Sequence, residues 1–282
     1  MEKPAVDPAI SSNPEAGLSE TQRAEADAIA PASLQVVHEV VRAQGEEELG
    51  RTALSLAASG VAAGVALGAS VLARAYLHGG LPKDVAWAPL VSAFGYTTGF
   101  VIVILGRLQL FTETTVTAVL PVATHPTRAN FGNLLRVWAV VFGANLVGCA
   151  LVAWGIVSGF IVDPEQQRSV FEISREATAH GAMEILRLGI PAGFLIASIA
   201  WILPNAKGSE FWVVVLVTWV IGAGGFSHVV AGATEAFVLW FAGEADAAQT
   251  FGGFIAPALL GNILGGSVLF AVLAHAMVRG DK

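Results

Sequence analysis

Charge is the scarcest property of this 282-residue chain: 13% of its residues are Asp, Glu, Lys or Arg, against about 25% in a soluble domain. With 55% hydrophobic residues and a mean hydropathy of +0.67, that shortfall excludes a disordered chain, a nucleic-acid binder and an ordinary cytosolic domain. It points to the bilayer as solvent. Cysteine is nearly absent. The single Cys149 sits in an apolar run, so neither an intramolecular disulfide nor a cysteine-based metal cluster is expected, and the thiol reads as a small buried hydrophobe. Nucleophile–base pairs, metal-ligand spacings and phosphate loops are lacking too. Gly222-Ala223-Gly224-Gly225 is too short and lies in an apolar run, which excludes a dinucleotide loop. No enzyme, cofactor or metal site is expected. Nor is a signal peptide, since no apolar segment follows a basic start.

Basic residues are scarce at the N-terminus in particular. Residues 1–51 hold ten acids and four bases, a net −6, whereas residues 52–282 sum to −1. Such a tail disfavours nucleic acid and anionic lipid surfaces. Pro4, Pro8, Pro14 and Pro31 among Ser, Ala and Glu predict a disordered acidic tail over residues 1–32. Residues 33–50 predict an amphipathic helix, with Ser33 as N-cap and Leu34, Val37 and Val41 on one face. Residues 51–282 form the membrane domain.

Four runs there, 52–73, 134–162, 186–204 and 253–278, meet the requirement of about 20 apolar residues per span. Two others do not fit. Residues 86–122 would make one helix about 55 Å long against a hydrocarbon core of about 30 Å, and 211–243 repeat the mismatch. Their centres carry Gly106-Arg107-Leu108-Gln109-Leu110-Phe111-Thr112-Glu113 and Gly222-Ala223-Gly224-Gly225-Phe226-Ser227-His228. Overlong apolar segments interrupted by glycine in corresponding places predict broken helices at a transport site. The chain therefore reads as an all-α membrane protein of six transmembrane helices. Helices 2 and 5 are broken at mid-membrane, with 106–112 and 222–228 non-helical and close together. Asn145-Leu146-Val147-Gly148 recurs as Asn262-Ile263-Leu264-Gly265 at an offset of 117, and the same offset brings Phe111 onto His228. Two halves of three spans in one chain must enter the membrane from opposite sides, so the halves, about 51–162 and 182–279, form an inverted 3+3 repeat. Arg128, Arg136, Lys207, Arg279 and Lys282 bias both termini to the cytoplasm. Gly60, Gly64 and Gly68 allow a close helix approach, within or between subunits.

Ionisable groups at membrane depth are costly and usually functional or paired. Here they are Arg107, Glu113, His228 and Glu235. Half-helix starts at the breaks would offer free N–H groups and positive partial charge to a small anion. Thr112 is read as a cap and hydroxyl donor, and His228 as its counterpart. A histidine that titrates near neutral pH is also able to protonate a weak-acid anion before it crosses apolar rings, a second role expected of His228. Leu110, Phe111 and Phe226 are the expected constrictions. Arg107, Glu113, Glu235 and Asn145 are read as support for the pore loops. Arg107 and Glu113 are expected to pair, and Glu235 is either a pore acid or a subunit contact. Charged glutamates in the pore would repel anions, so an anion path requires them paired, protonated or turned away.

Leu110-Phe111-Thr112, Phe226-Ser227-His228 and Pro257-Ala258-Leu259-Leu260-Gly261-Asn262-Ile263-Leu264-Gly265-Gly266 resemble the signatures of the formate/nitrite transporter family, over residues 34–278. The resemblance implies an aquaporin-like fold, a homopentamer with one pore per subunit in the cell membrane, and passage of small monovalent anions or their weak acids. It places Thr112 on the pore-loop threonine, His228 on the central histidine and Asn262 on the nearby asparagine of the last span, all three as substrate-binding residues. The chain also departs from the family pattern. Where many members have an entrance lysine, Glu176-Ala177-Thr178 stands, and Pro191-Ala192 replaces a Cys-Asn pair, which resembles the YfdC-like branch. Two other readings stay open: a neutral-solute facilitator of aquaporin-like topology, and a non-transporting membrane scaffold. A bacterial inner membrane is the expected location.

Overall fold

The computed structural model describes residues 18–280, which are helices and their connections; no strand occurs among the described residues. The disordered tail was expected to extend to residue 32. Its first part, residues 1–17, lies outside the described residues. Within the remainder, α1 (Glu20–Ile29) is a helix held at its start by a capping box between Ser19 and Gln22, a Ser-x-x-Gln pattern that favours helix initiation. The second unit begins at Leu34. Its first helix, α2 (Leu34–Gly50), buries Val37, Val41 and Leu49 and leaves Val36 and Val40 exposed.

Five helical runs are long and apolar enough to cross a membrane. They are α3 (Ala53–Gly80), α4 (Ala88–Leu105), α7 (Arg128–Val157), α9 (Ala182–Ile202, prolonged by a 3₁₀ turn) and the last run, Ala248–Val278. Between α4 and α7 lie the short helices α5 (Phe111–Thr117) and α6 (Val119–Thr124). The last run alternates π-helical stretches, Ala248–Ile255 and Leu264–Ala271, with α12 (Ala256–Ile263) and α13 (Val272–Gly280). The apolar helices α10 (Glu210–Ala223) and α11 (Val229–Phe241) are shorter.

Two elements differ from expectation. Arg74 does not close the first span: α3 runs on to Gly80, because the guanidinium meets carboxylates of other helices. Residues 164–178, which lie between the expected spans, form the amphipathic helix α8 (Pro164–Thr178). Asp163 caps it with a reciprocal bond from Gln166, Pro164 occupies the first turn, and Val170 and Ile173 are buried. Those are standard initiation signals, and α8 brings Glu172 and Glu176 over the ends of the longer helices.

Glycine sets close helix crossings within the chain. A Cβ on Gly64 of α3 would stand 2.2 Å from the carbonyl oxygen of Asn145 in α7. A Cβ on Gly193 of α9 would stand 2.2 Å from the carbonyl oxygen of Asn262 in α12. Backbone thus lies on backbone at both crossings. Gly64→Ala is expected to cost about 1–3 kcal/mol through forced separation of α3 and α7. It should appear as a lowered midpoint of thermal unfolding in detergent, and an unchanged midpoint would contradict the crossing.

Candidate functional site

α4 and α10 end in the same way. Leu108 N–H donates to Val103 O at 2.9 Å and Arg107 N–H to Ile104 O at 3.1 Å; Phe226 N–H donates to Ile221 O at 3.0 Å and Gly225 N–H to Gly222 O at 3.3 Å. Each pair is a Schellman motif, whose closing residue sits in the left-handed region. At one end that residue is Gly225, with φ of 62°; at the other it is Arg107, with φ of 53°, the only non-glycine with positive φ among the described residues. A side chain there is strained by roughly 1–2 kcal/mol. The chain then runs extended to Leu110 and His228, and helices resume at Phe111 and Val229. The non-helical stretches are thus 106–110 and 224–228, shorter than expected, and Phe111 and Thr112 belong to the first turn of α5.

Two fully buried asparagines hold the restarts by matching bonds. Phe111 N–H donates to Asn145 Oδ1 at 2.9 Å, while Asn145 Nδ2 donates to Gly60 O at 2.8 Å and Gln109 O at 2.9 Å. Val229 N–H donates to Asn262 Oδ1 at 2.9 Å, while Asn262 Nδ2 donates to Gly189 O at 2.9 Å and Ser227 O at 2.8 Å. Each amide therefore uses both donors and accepts one bond from backbone. Of the N–H groups expected to be free, those of Phe111, Val229 and Ala231 are engaged, and Asn262 meets backbone where the resemblance implied solute.

The side chains that meet between the two restarts are those of Thr112 and His228. His228 is the N-cap of α11: its Nδ1 accepts from Ala231 N–H at 3.2 Å. A ring nitrogen that accepts carries no proton, so the proton of the neutral imidazole is on Nε2. Nε2–H then donates to Thr112 Oγ1, 2.7 Å away, leaving the threonine hydroxyl hydrogen available. Thr112 itself is not the cap of α5, which starts at Leu110 without a side-chain cap bond. The Phe100 ring meets the imidazole edge-on, with centroids 4.9 Å apart. Among the expected constrictions, Leu110 is fully buried and Phe111 packs on Trp138 and Phe142 of α7. Phe226 lines a cavity beside His228.

That cavity, of about 150 Å³, is also bordered by Arg74, Tyr96, Glu176 and Glu235. Arg74 bridges Glu176 at 3.0 Å and the buried Glu235 at 3.4 Å. Glu235 is thus paired inside the chain, and Glu176 is held by a base from another helix. Sequence reasoning missed Arg74, which lines this cavity and links the two acids. A second cavity, of about 590 Å³, is bordered by Arg51, Arg107, Gln44, Glu48, Gln109 and Glu113 among others. The expected Arg107–Glu113 pair does not form: Arg107 is exposed, and Glu113 Oε1 accepts from Gln44 Nε2 at 3.5 Å.

On α2, Glu48 is 5% exposed and accepts from the Thr117 hydroxyl at 2.6 Å. Burial pushes its carboxyl up to about 7. A carboxyl raised above its unfolded value binds more protons in the folded state, so its contribution to docking α2 is fully present at acid pH and is lost as pH rises through about 7. Protection of the α2 amides, measured as exchange relative to the intrinsic rate at each pH, should therefore fall between pH 4.5 and about 7, and Glu48→Gln should remove that dependence. Equal pH dependence in both proteins would refute the assignment.

Comparison with known proteins follows this geometry. A profile of the family described as "Formate/nitrite transporter" matches residues 35–276. The inner membrane protein YfdC of Escherichia coli (strain K12) is 39% identical over 251 residues, covering 89% of this chain and 81% of that protein. An "FNT family ion channel" superposes with a TM-score of 0.75 at 20% identity, over 86% of this chain and 99% of its own. A "Pentameric formate channel with formate bound" gives 0.66 at 21% identity, over 80% of this chain and 97% of its own. With five helices long and apolar enough to span, the chain is a multi-pass membrane protein, and it belongs to the formate/nitrite transporter family.

Proposed function

We propose that the chain conducts small monovalent anions of the formate and nitrite type, together with their weak acids, through a pore within each subunit of a homopentamer. In this reading α4–α5 and α10–α11 are the two spans broken at mid-membrane, and the six spans form an inverted 3+3 repeat. The matched bonds of Asn145 and Asn262 support it. The location is a bacterial inner membrane with both termini cytoplasmic, the Arg51–Arg107 cavity inside and the Arg74–Glu235 cavity outside. Arg51 and Arg74 stand 23 positions apart, about 35 Å along a helix, against a hydrocarbon core of about 30 Å.

The observation that carries the reading is the Thr112–His228 hydrogen bond, made where the two interruptions meet and with a cavity to either side. In the resting pore Thr112 Oγ1 accepts the imidazole Nε2–H. A solute with an acceptor oxygen takes the imidazole Nε2–H and the hydroxyl hydrogen together, so passage replaces that bond and leaves no buried group bare. Asn145 and Asn262 hold the loops, and Leu110 and Phe226 supply the apolar walls. Proteoliposomes offered formate, nitrite, hydrosulfide and glycerol test this. The expected result is flux of the first three and exclusion of glycerol. Glycerol flux without formate flux would establish the neutral-solute facilitator, and no flux of any solute the scaffold. Thr112→Val should lower formate flux roughly 2- to 10-fold, the worth of one neutral hydrogen bond of about 0.5–1.5 kcal/mol.

A further inference from the structure

We infer that Glu235, and not His228, is the proton-exchanging group of this pore, a role that rests on the weak-acid reading above. His228 is fixed as a donor. Its Nδ1 accepts from Ala231 N–H, so the ring's one proton lies on Nε2, and giving that proton away would leave an imidazolate. A second ring proton would have to go on Nδ1, at the expense of the cap of α11. The neighbouring acid has none of these constraints. Glu235 lies seven residues further along α11, about two turns and therefore on the same face. It borders the same cavity as His228 and Phe226.

Its pairing is weak enough to release. Among the described residues Glu235 makes one hydrogen bond, through Oε1 to Arg74 at 3.4 Å, while Arg74 makes the shorter bond at 3.0 Å to Glu176. The carboxyl is 4% exposed and Glu176 is exposed, so the guanidinium links a buried acid to an accessible one. The other polar groups around this acid are Tyr96 on α4, Glu176 on α8, His180 after α8 and His228 at the start of α11. When Glu235 takes a proton, Arg74 keeps its pairing to Glu176, so neither state leaves the guanidinium alone. That arrangement lets one carboxyl change charge without disrupting the fold.

The step is a proton transfer with no other bond altered. A hydronium ion in the water on the Arg74 side gives its proton to the Glu235 carboxylate and is left as water. The O–H proton then moves to an oxygen of the anion in the cavity, yielding the neutral acid that passes Phe226 and the Thr112–His228 pair. Glu235 returns to the carboxylate beside Arg74.

The test uses the full chain in proteoliposomes containing a pH-sensitive dye, with formate pulses at external pH from about 5 to 8, the range in which proton supply changes most for weakly acidic groups. Wild type should take up formate faster as pH falls, with protons entering alongside it. Glu235→Gln should carry formate with a flattened pH profile and a several-fold lower proton-to-formate ratio, and Glu235→Asp should restore both. His228→Asn should keep the wild-type profile at lower flux. A Glu235→Gln protein with the wild-type profile and ratio would overturn the assignment while leaving the channel reading intact; wild-type protein that carries neither formate nor nitrite would remove both. If Glu235→Gln fails to assemble, wild-type protein treated with a hydrophobic carbodiimide decides. An adduct mapped to Glu235 with loss of proton-coupled flux supports the role, and unchanged coupling or no adduct there overturns it.

Discussion

Asn262→Leu yields no assembled protein. Leucine fills the volume of the amide but leaves Val229 N–H, Gly189 O and Ser227 O without the bonds that Asn262 supplies. All three belong to a fully enclosed part of the chain, and each bare buried polar group costs about 1–3 kcal/mol. The sum, roughly 3–9 kcal/mol, is comparable with the 5–15 kcal/mol that holds a domain together. Asn262→Asp is no remedy. The carboxylate still accepts from Val229 N–H but turns acceptors toward the Gly189 and Ser227 carbonyls. Asn145→Leu should fail in the same way, since Asn145 makes the equivalent set of bonds. Detergent size-exclusion chromatography and thermal unfolding read the result, and a monodisperse Asn262→Leu protein melting within a few degrees of wild type would refute the clamp.

His228→Phe, by contrast, lowers formate flux on the order of 100-fold in protein that still reaches the membrane. It removes the Nε2–H that meets Thr112 and places an apolar ring in the path. A hydrogen bond to an ionised partner is worth about 1.5–3 kcal/mol, and 2.7 kcal/mol corresponds to roughly 100-fold. His228→Asn separates blockage from lost bonding. Asparagine is a strong N-cap residue and retains a donor, so flux should fall far less. Formate uptake normalised to reconstituted protein measures both, and equal flux through His228→Phe and wild type would exclude the histidine from the path.

The sequence made the interruptions legible because two apolar runs exceeded the bilayer and carried glycine at their centres. It made the paired asparagines legible because Asn-x-x-Gly recurs at a fixed offset. It did not show why the first break falls at residue 107. There the left-handed position is held by Arg107, with φ of 53°, and arginine carries no local preference for that conformation; Gly106 stands one residue too early. Arg74 was hidden for another reason. Its partners Glu176 and Glu235 are 102 and 161 residues away in sequence, and no periodicity reports a bond between three helices. The Arg107–Glu113 pairing failed because six residues of sequence separation do not bring side chains together across a turn that reverses at residue 107. The helix α8 was legible in principle, through Asp163-Pro164 and Gln166, but its charges read equally well as a loop.

The two glycine crossings carry a consequence for timing. At Gly64 and Gly193 the main chains are in direct contact, with no side chain between them to yield or slide. Both crossings join helices of the same half of the chain, Gly64 with Asn145 and Gly193 with Asn262, so each half is internally stiff. What remains free to move is small: the Thr112 hydroxyl, the Phe226 ring and the Glu235 carboxyl. Rotations of such groups take picoseconds to nanoseconds, whereas collective rearrangements take microseconds to milliseconds. In the proposed channel, where only such groups move, throughput is set by how often a solute arrives and sheds its water, and uptake should rise linearly with concentration well beyond the range in which a rocking carrier saturates.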